Sequence, residues 1–352
     1  MTDKIEKVST SLSNLKSKDF TFYFFIVEDQ NVNAGVLEVY NQANVLRKLG
    51  YNVTMITDDE YKTPLFLDDE LQTIQTKKSS ENVTVKPEDF LIIPEIFTNV
   101  LDQTRKYNCN KILLFQSYSN ALRGLLPGFS WLQEYGITQI ITTNDNLTNF
   151  VNKFMGPGYD IQKYTIGIPE YFKTPKLPKD LTISYLSRNP QEMEMVIKLF
   201  YLQNPEYKFI TFEDLRTNSK RKDFAEKLNK SIGTIFIDRI SSFGTLPLEA
   251  MKSHNFVCGL IPEMVPEYLD EKNGLWSYNI FDLPELLASL ISSFIQDKIP
   301  QEFYDKMDET VAKYTPEISE NSIKNVYEYF INKRINNFED ALKELNESET
   351  QN

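Results

Sequence analysis

Histidine and cysteine are scarce in this chain. Its 352 residues include one histidine, His254, and two cysteines, Cys109 and Cys258. A mechanism that needs a histidine pair or a Ser-His-Asp triad is therefore hard to assemble. The two cysteines lie far apart in sequence and form neither a disulfide framework nor a metal-binding cluster. We therefore expect a reducing, cytoplasmic environment and no metal site.

Long apolar runs and an excess of basic residues are also missing. No apolar run approaches the roughly 20 residues that span a bilayer. Residues 1–19 are polar and charged, unlike a signal peptide. The net charge of −12 argues against a protein that coats nucleic acid, because phosphate contacts require clustered lysines and arginines. We expect a chain without a transmembrane segment.

What the chain does contain is an ordinary globular composition, with 41% hydrophobic and 25% charged residues. A chain of 352 residues exceeds one ordinary core, which favours two domains. Short apolar runs alternate with helical patterns, and this order predicts an α/β fold with parallel, doubly wound sheets. The predicted strands span residues 20–27, 51–56, 89–93, 111–115, 139–142, 181–186, 207–212, 233–237 and 256–261.

A proline-bearing segment divides this alternation. Residues 171–180 carry Pro175 and Pro178 and are the best linker candidate. We predict an N-terminal domain over 1–172 and a C-terminal domain over 173–320. Ligands of such sheets bind beyond the carboxyl ends of the strands, so the cleft between two such domains is the expected site.

The most informative segment runs from Ser242 to Met251, after the apolar run at 234–237. Gly244 marks a turn between this strand and a helix, where backbone N–H groups can hold phosphate. Glu249, inside the helix, can accept hydrogen bonds from sugar hydroxyls. The combination suits a ligand with a diphosphate and a ribose.

The segment 241–251 resembles a signature of the GT-B-fold glycosyltransferases, closest to the retaining family-4 type. That signature reads acidic-Gly-Phe-Gly-Leu-Pro-x-Leu-Glu-Ala-Met, and its second glutamate, the donor-ribose ligand in the family, matches Glu249. Its first glutamate, which contacts the donor sugar in the family, is replaced by Ser241. The resemblance implies two Rossmann-like domains facing across a cleft, with a C-terminal helix over 321–352 packing back across them.

Further segments match the same family in the same order. Ala34-Gly35-Val36 resembles its first Gly-rich loop, and Gln116-Ser117 resembles a strand end facing the acceptor. Residues 184–189 resemble the strand that carries a diphosphate-binding Arg-Lys pair. Arg188 keeps the arginine, whereas Asn189 replaces the lysine.

The resemblance implies a set of site residues without a metal or another cofactor. Arg188 and Glu249 are the expected catalytic residues, and Gln116 and Ser117 the expected acceptor side. The expected donor-binding residues are Gly35, Arg188, Ser241, Ser242, Phe243, Gly244, Thr245, Leu246 and Glu249.

Three other charged features favour structural roles. Lys220-Arg221-Lys222 is a charge run typical of a solvated helix face. Glu267 follows a proline and is typical of a helix start, and His254 is predicted at a helix end, where a cation is favourable.

The leading hypothesis is therefore a glycosyltransferase that moves a sugar from a nucleotide-sugar donor to an acceptor. The acceptor could be a glycan, a lipid-linked sugar, a protein or a modified DNA base, and viral enzymes of this fold glycosylate DNA bases. A DNA-base acceptor fits the biased amino-acid composition of this chain, which would suit a phage protein. An enzyme that acts on DNA requires a basic groove, however, and the acidic net charge argues against one. A second hypothesis is a binding or scaffold protein of the same shape without catalysis, which Ser241 and Asn189 motivate. A dinucleotide-dependent oxidoreductase is disfavoured, since no Gly-x-Gly-x-x-Gly follows the first strand.

Overall fold

Two parallel β-sheets organise the chain in the computed structural model, which describes residues 2–124, 129–175, 178–216 and 220–350. Within these residues the first sheet has seven strands, in the spatial order β3-β2-β1-β4-β5-β6-β7. Its strands are β1 (Thr21–Phe25), β2 (Asn52–Thr57), β3 (Thr76–Lys78), β4 (Phe90–Pro94), β5 (Asn110–Phe115), β6 (Ile137–Thr142) and β7 (Asp160–Lys163).

The second sheet has five strands in the described residues, in the order β12-β11-β10-β8-β9. Its strands are β8 (Asp180–Tyr185), β9 (Thr211–Asp214), β10 (Ser231–Phe236), β11 (Phe256–Leu260) and β12 (Leu275–Ser277). All strand pairs in both sheets are parallel. The predicted α/β fold with doubly wound parallel sheets is confirmed.

Helices connect the strands and cover the sheets. They are α1 (Thr2–Ser17), α2 (Ala34–Lys48), α3 (Asp69–Gln72), α4 (Thr98–Thr104), α5 (Tyr118–Gly124), α6 (Asp145–Phe154), α7 (Pro190–Gln203), α8 (Arg221–Lys230), α9 (Leu246–Lys252), α10 (Leu283–Ile295), α11 (Gln301–Val311) and α12 (Pro316–Thr350). Because helices lie on both faces, the central strands are apolar throughout: β4 reads Phe-Leu-Ile-Ile-Pro, and every one of its residues is buried.

Strand order fixes where ligands can enter. The winding direction reverses between β1 and β4 in the first sheet and between β8 and β10 in the second. At such switch points the loops after the strands diverge and leave a crevice at the carboxyl ends. The segments after these four strands therefore define the region where the site is expected.

The last helix returns to the first sheet, as predicted. Helix α12 packs against α1 and α2. The buried Tyr327 hydroxyl donates to Gln42 Oε1 at 2.7 Å, and its ring meets Phe22 edge-on with centroids 5.5 Å apart. At the start of α12, a Cβ added to Gly167 would lie 2.7 Å from the Cβ of Ser319, so glycine allows this close approach. Helix α12 thus fastens the C-terminal part of the chain to the N-terminal sheet.

Several elements differ from the sequence prediction. The strand predicted at 207–212 begins only at Thr211, because Pro205–Tyr207 forms a 3-10 turn. Strands β3, β7 and β12 have three or four residues each and were not predicted, because they carry no apolar run. Helix α1 was also missed, since its polar sequence finds its partner, α12, only in the folded chain.

The domain division at 172 and 320 stays a prediction. Residues 176 and 177 of the predicted linker, and 351 and 352 of the predicted C-terminal segment, lie outside the described residues. In the described part of the chain, no helix is both long and apolar enough to cross a membrane.

The hydroxyl of Tyr327 provides a test of the docking of α12. We expect Tyr327→Phe to lower the free energy of unfolding by about 1–3 kcal/mol, because it leaves the buried Gln42 Oε1 without its donor. Urea denaturation measures this change. The exposed Tyr278, outside α12, is the control, and Tyr278→Phe should leave the midpoint nearly unchanged. Equal effects of the two substitutions would contradict a specific role for the Tyr327 hydroxyl.

Candidate active site

A cavity of about 480 Å³ lies between the carboxyl ends of the two sheets. Its walls come from the loop after β1, the loops after β8 and β9, the start of α8 and the turn between β10 and α9. The lining residues are Asp29, Asn31, Val32, Asn33, Ala34, Leu186, Ser187, Arg188, Arg216, Arg221, Phe236, Asp238, Ser241, Gly244, Thr245, Leu246 and Glu249. The cavity therefore lies at the switch points of both sheets.

Two arginines line the cavity directly after strands of the second sheet. Arg188 follows β8, and its side chain is 67% exposed, with Nε 3.1 Å from Asp238 Oδ2. Arg216 follows β9, and its Nε donates to Asp214 Oδ2 at 3.0 Å. A guanidinium carries five N–H donors, so one carboxylate leaves donors for a bound anion. The sequence prediction included Arg188 but missed Arg216, which has no distinctive motif around it.

A third arginine, Arg221, is buried and forms an ion pair with Glu249. The Arg221 side chain is 3% exposed and the Glu249 side chain 2%. The guanidinium carbon also lies 4.5 Å from the ring centre of Phe224 and 5.1 Å from that of Phe172. The prediction of a solvated face for residues 220–222 is therefore wrong for Arg221. Position 221 begins α8 on the side that faces α9, where a buried carboxylate needs a counter-charge.

Glu249 lines the cavity, as the resemblance implied, but its carboxylate is already bound by Arg221. Any sugar hydroxyl must therefore share this carboxylate with the arginine. Its role as a ribose ligand stays a prediction.

The turn before α9 is tightly folded. Gly244 has a φ of +69°, and a Cβ at this position would lie 2.9 Å from Ser241 Oγ. The Tyr268 hydroxyl donates to the carbonyl oxygens of Phe243 at 2.8 Å and Gly244 at 2.6 Å. These contacts explain why this turn requires glycine and why its conformation is fixed.

The predicted donor-binding residues of this turn divide into two groups. Ser241, Gly244, Thr245 and Leu246 line the 480 Å³ cavity. Phe243 is 6% exposed, and its ring packs edge to face against that of Tyr268, so its side chain belongs mainly to the core.

Ser242 joins the two sides of the cleft. Its Oγ accepts a hydrogen bond from the Tyr118 amide at 3.3 Å, and its carbonyl accepts one from Asn144 Nδ2 at 3.0 Å. A smaller cavity of about 110 Å³ lies at this junction and is lined by Gln116, Ser117, Ser241 and Ser242, among others. The structure thus brings the predicted acceptor-side and donor-side residues together.

Gly35 lies on the N-terminal side of the same junction, in the first turn of α2. Its amide donates to Asn33 Oδ1 at 2.9 Å, and its carbonyl accepts from Gln116 Nε2 at 3.2 Å. A Cβ at Gly35 would lie 3.2 Å from Asn33 Oδ1 and 3.3 Å from Gln116 Oε1. The absence of a side chain at Gly35 therefore leaves room for the side chain of Gln116. The backbone amide of Gly35 already donates its hydrogen bond to the helix cap, Asn33. The approach of a diphosphate to this backbone stays a prediction.

Asn189 has a structural task. Its Oδ1 accepts a hydrogen bond from the Glu192 amide at 3.3 Å and caps α7. The residue that stands in place of the family's lysine thus stabilises a helix start. The second exposed cation of the site comes from Arg216 instead.

Two buried glutamates near the cleft were missed by the sequence analysis. Glu38, on α2, lines the 110 Å³ cavity and accepts hydrogen bonds from Asn41 Nδ2 at 2.9 Å and the Tyr164 hydroxyl at 3.1 Å. Glu95 follows β4, lines a neighbouring cavity of about 180 Å³ and accepts from the Gln116 amide at 3.2 Å. Burial raises the pKa of each carboxyl to about 7. An acidic residue within the apolar pattern of α2 was the available signal for Glu38.

Of the residues assigned structural roles, Glu267 and His254 lie outside the 480 Å³ cavity, whereas Arg221 lines it. The prediction of a helix start at Glu267 is wrong, because this residue lies in a turn. Its carboxylate instead accepts a hydrogen bond from the Asp145 amide on the N-terminal side of the cleft. His254 follows α9 with a φ of +52°, and its Nε2 lies 2.7 Å from Asp308 Oδ1. Among the described residues there is no group of three or more His, Cys, Asp or Glu side chains that could hold a metal ion.

Comparison with known proteins gives matches in fold. No protein-family model matches the chain, and no curated protein matches its sequence. Sucrose-phosphate synthase from Thermosynechococcus elongatus matches with a TM-score of 0.65 at 11% identity, over 89% of this chain and 100% of that chain. The pneumococcal O-GlcNAc transferase GtfA, solved with UDP and GlcNAc, matches with a TM-score of 0.62 at 11% identity, over 88% of this chain and 99% of that chain.

A third match is the Anabaena protein HepE, solved with UDP-glucose. Its TM-score is 0.58 at 11% identity, over 88% of this chain and 99% of that chain. Sequence identity at this level shows the fold alone. The chain has the GT-B fold, and the structural resemblance to glycosyltransferases of this fold that the sequence suggested is confirmed.

The Arg221–Glu249 pair gives a second prediction. Because Glu249→Leu leaves a buried, unpaired guanidinium, we expect it to lower the free energy of unfolding by about 3–5 kcal/mol. The double variant Arg221→Met/Glu249→Leu should recover most of this loss in chemical denaturation. The exposed pair Lys230–Glu226 on α8 is the control, and Glu226→Leu should stay close to wild type. A double variant as unstable as the single one would show that lost packing dominates.

The two glutamates with raised pKa values predict a pH dependence of stability. Between pH 4.5 and 7 the folded chain holds protons on Glu38 and Glu95 that the unfolded chain releases. The free energy of unfolding should therefore fall as the pH rises through this range. One pKa unit corresponds to about 1.4 kcal/mol, so the shift of each carboxyl lowers the free energy of unfolding by up to about 3 kcal/mol across this pH range.

Urea denaturation from pH 4.5 to 7.5 measures this slope. Glu38→Gln and Glu95→Gln should each flatten it. The exposed Glu194 is the control, since Lys198 lowers its pKa and Glu194→Gln should leave the slope in this range unchanged. Slopes equal to wild type in both cleft variants would show that neither carboxyl holds a proton near neutral pH.

Proposed function

We propose that the chain is a glycosyltransferase that transfers a sugar from a nucleotide-sugar donor and holds the donor in the 480 Å³ cavity. One observation carries this proposal: Arg188, Arg216 and Arg221 reach the same cavity from three separate segments of the chain. Each arginine has a carboxylate partner, but a guanidinium has five N–H donors, so donors remain for a ligand. Three guanidinium groups that converge at the carboxyl ends of parallel strands suit a diphosphate.

Each wall of the cavity has a proposed role. Arg188 and Arg216, the more exposed arginines, bind the diphosphate and stabilise its charge as the sugar leaves. Glu249, oriented by Arg221, accepts a hydrogen bond from the ribose. The Gly244–Thr245 turn closes the cavity beside the donor sugar. The neighbours GtfA and HepE were solved with UDP and with UDP-glucose, which makes uridine diphosphate sugars the first donors to test.

The acceptor is proposed to bind on the N-terminal side. Gln116 and Ser117 lie at the junction with the donor side, and Glu95 lines the adjoining 180 Å³ cavity. Their amide, hydroxyl and carboxyl groups suit an acceptor hydroxyl. We propose a retaining transfer that needs no metal, in which the leaving diphosphate takes the acceptor proton.

A catalytically inactive binding protein is the second candidate. It is favoured by Ser241 in place of the first glutamate and by the engagement of Glu249 with Arg221. Such a protein would bind the nucleotide sugar without transferring or hydrolysing it.

Thermal unfolding with UDP-, GDP-, ADP-, CMP- and dTDP-sugars tests donor binding. A ligand at a hundredfold excess over its Kd stabilises by about 2.7 kcal/mol, which raises the Tm by several degrees. We expect one nucleotide class to give this shift. Arg188→Ala and Arg216→Ala should each weaken binding about tenfold to a hundredfold, because each removes a charge-assisted contact with the diphosphate.

Lys198→Ala, which removes an exposed cation from α7 outside the cavity, is the control and should bind like wild type. Donor hydrolysis and transfer to glycans, lipid-linked sugars, proteins and modified DNA bases are then measured with the donor identified. Binding without turnover would favour the inactive candidate. Absence of any shift in a folded sample would contradict donor binding itself.

A further inference from the structure

A second polar cavity, of about 450 Å³, lies at the opposite end of the first sheet. It surrounds the starts of β5 and β6, whereas the cleft lies beyond the carboxyl ends of these strands. Its lining includes five cationic residues: Arg105, Lys106, Lys111, Lys333 and Arg334. Glu134 is the one acidic residue among its described lining residues. We call this region the basic cavity. Such a concentration is unexpected in a chain with a net charge of −12.

Most of these cations lack an acidic partner. Lys333 lies 2.6 Å from Asp160 Oδ2, but in the part of the chain that the structure describes the other four have no carboxylate oxygen within 4.0 Å. Arg105 and Lys106 instead lie over tyrosine rings, with centroid distances of 5.3 Å and 5.1 Å. Lys111 Nζ donates to a backbone carbonyl at 2.8 Å, as does Arg334 Nη2 at 2.9 Å. Their charges are therefore not neutralised by the protein.

Buried polar atoms without partners mark the same wall. Of five such side-chain atoms in the described residues, three belong to residues that line the basic cavity: Asn110 Nδ2, Gln139 Oε1 and Arg334 Nε. Asn110 is 8% exposed and Gln139 6%. Unpaired buried polar groups are unfavourable, so this wall favours a polar ligand over an apolar one.

Two acidic residues directly before β4, Glu88 and Asp89, already accept hydrogen bonds from other parts of the chain. Glu88 accepts hydrogen bonds from Ser11 Oγ at 3.0 Å and from Asn14 Nδ2 at 2.5 Å. Asp89 accepts from the Thr21 amide at 2.8 Å and from the Lys86 amide at 2.7 Å. Neither residue lines the cavity. Burial lowers the pKa of Arg334 and of Lys111, which indicates that both cations would gain from an added anion.

We propose that the basic cavity binds a small phosphorylated molecule that also carries hydroxyl groups, at a site separate from the cleft. The cations match the phosphate oxygens, while the polar lining, which includes the amide residues Asn110 and Gln139, matches hydroxyl groups. Lys333 and Arg334 belong to α12, and Lys111 belongs to β5. The bound molecule therefore cross-links α12 to the first sheet.

Calorimetric titration with glucose 6-phosphate tests this site, with glucose and inorganic phosphate as partial probes. We expect binding of glucose 6-phosphate to be tighter than that of either partial probe. The variant Lys111→Met/Arg334→Met should weaken binding at least tenfold. The variant Arg188→Ala/Arg216→Ala should retain it, since the cleft is not involved. Lys324→Gln, which removes a cation from α12 outside the cavity, should bind like wild type.

Arg105 and Lys106 are exposed, so substituting them provides a second test if Lys111→Met/Arg334→Met does not fold. Arg105→Gln/Lys106→Gln should also weaken binding, with little change in the Tm without ligand. Loss of binding in the cleft variant together with retention in both cavity variants would overturn the proposal, as would the absence of binding to the wild-type chain. Each result is independent of whether the cleft transfers a sugar.

Discussion

The burial of the Arg221–Glu249 ion pair is the constraint on which the cleft depends. A charge removed from water needs a nearby opposite charge, and this pair meets that need between α8 and α9. Arg221 also covers the rings of Phe172 and Phe224, so the segment that leads from the first sheet to the second packs against the same guanidinium. The pair therefore fixes two helices and the connecting segment at one wall of the cavity. Its field reaches across the cleft, where Arg221 lowers and Glu249 raises the pKa of Glu38, although burial has the larger effect.

The parallel sheets explain why the polar chemistry lies at their ends. Helices cover both faces of each sheet, so the interior strands are apolar and polar ligands can approach only beyond the strand termini. The arginines of the cleft lie beyond the carboxyl ends, and the cations of the basic cavity lie around the amino ends of β5 and β6. The five cations of the basic cavity share its lining with one acidic residue, whereas the three arginines of the cleft cavity share theirs with Asp29, Asp238 and Glu249.

The departures from the family signature have local structural explanations. Asn189 caps α7, and Ser241 packs beneath the turn at Gly244, where little space is left. A lysine at position 189 would have supplied a cation, and Arg216, from a different loop, supplies one to the cavity instead. The cavity therefore has two exposed arginines although the lysine of the signature is absent. This is why the proposed function rests on the joint position of three arginines and not on the signature alone.

The sequence by itself determined the features that depend on neighbouring residues. Apolar runs located most strands of both sheets, glycine located the turn at Gly244, and the order of the segments indicated the GT-B fold. Only the tertiary structure decided which charges are buried and paired. Arg221 looked solvated because its partner, Glu249, lies 28 residues away, and Glu38 looked ordinary because its burial depends on distant segments. The basic cavity likewise combines α12 with β5 and β6. Local spacing specifies secondary structure, whereas desolvation and charge pairing arise from contacts that form only when the chain is folded.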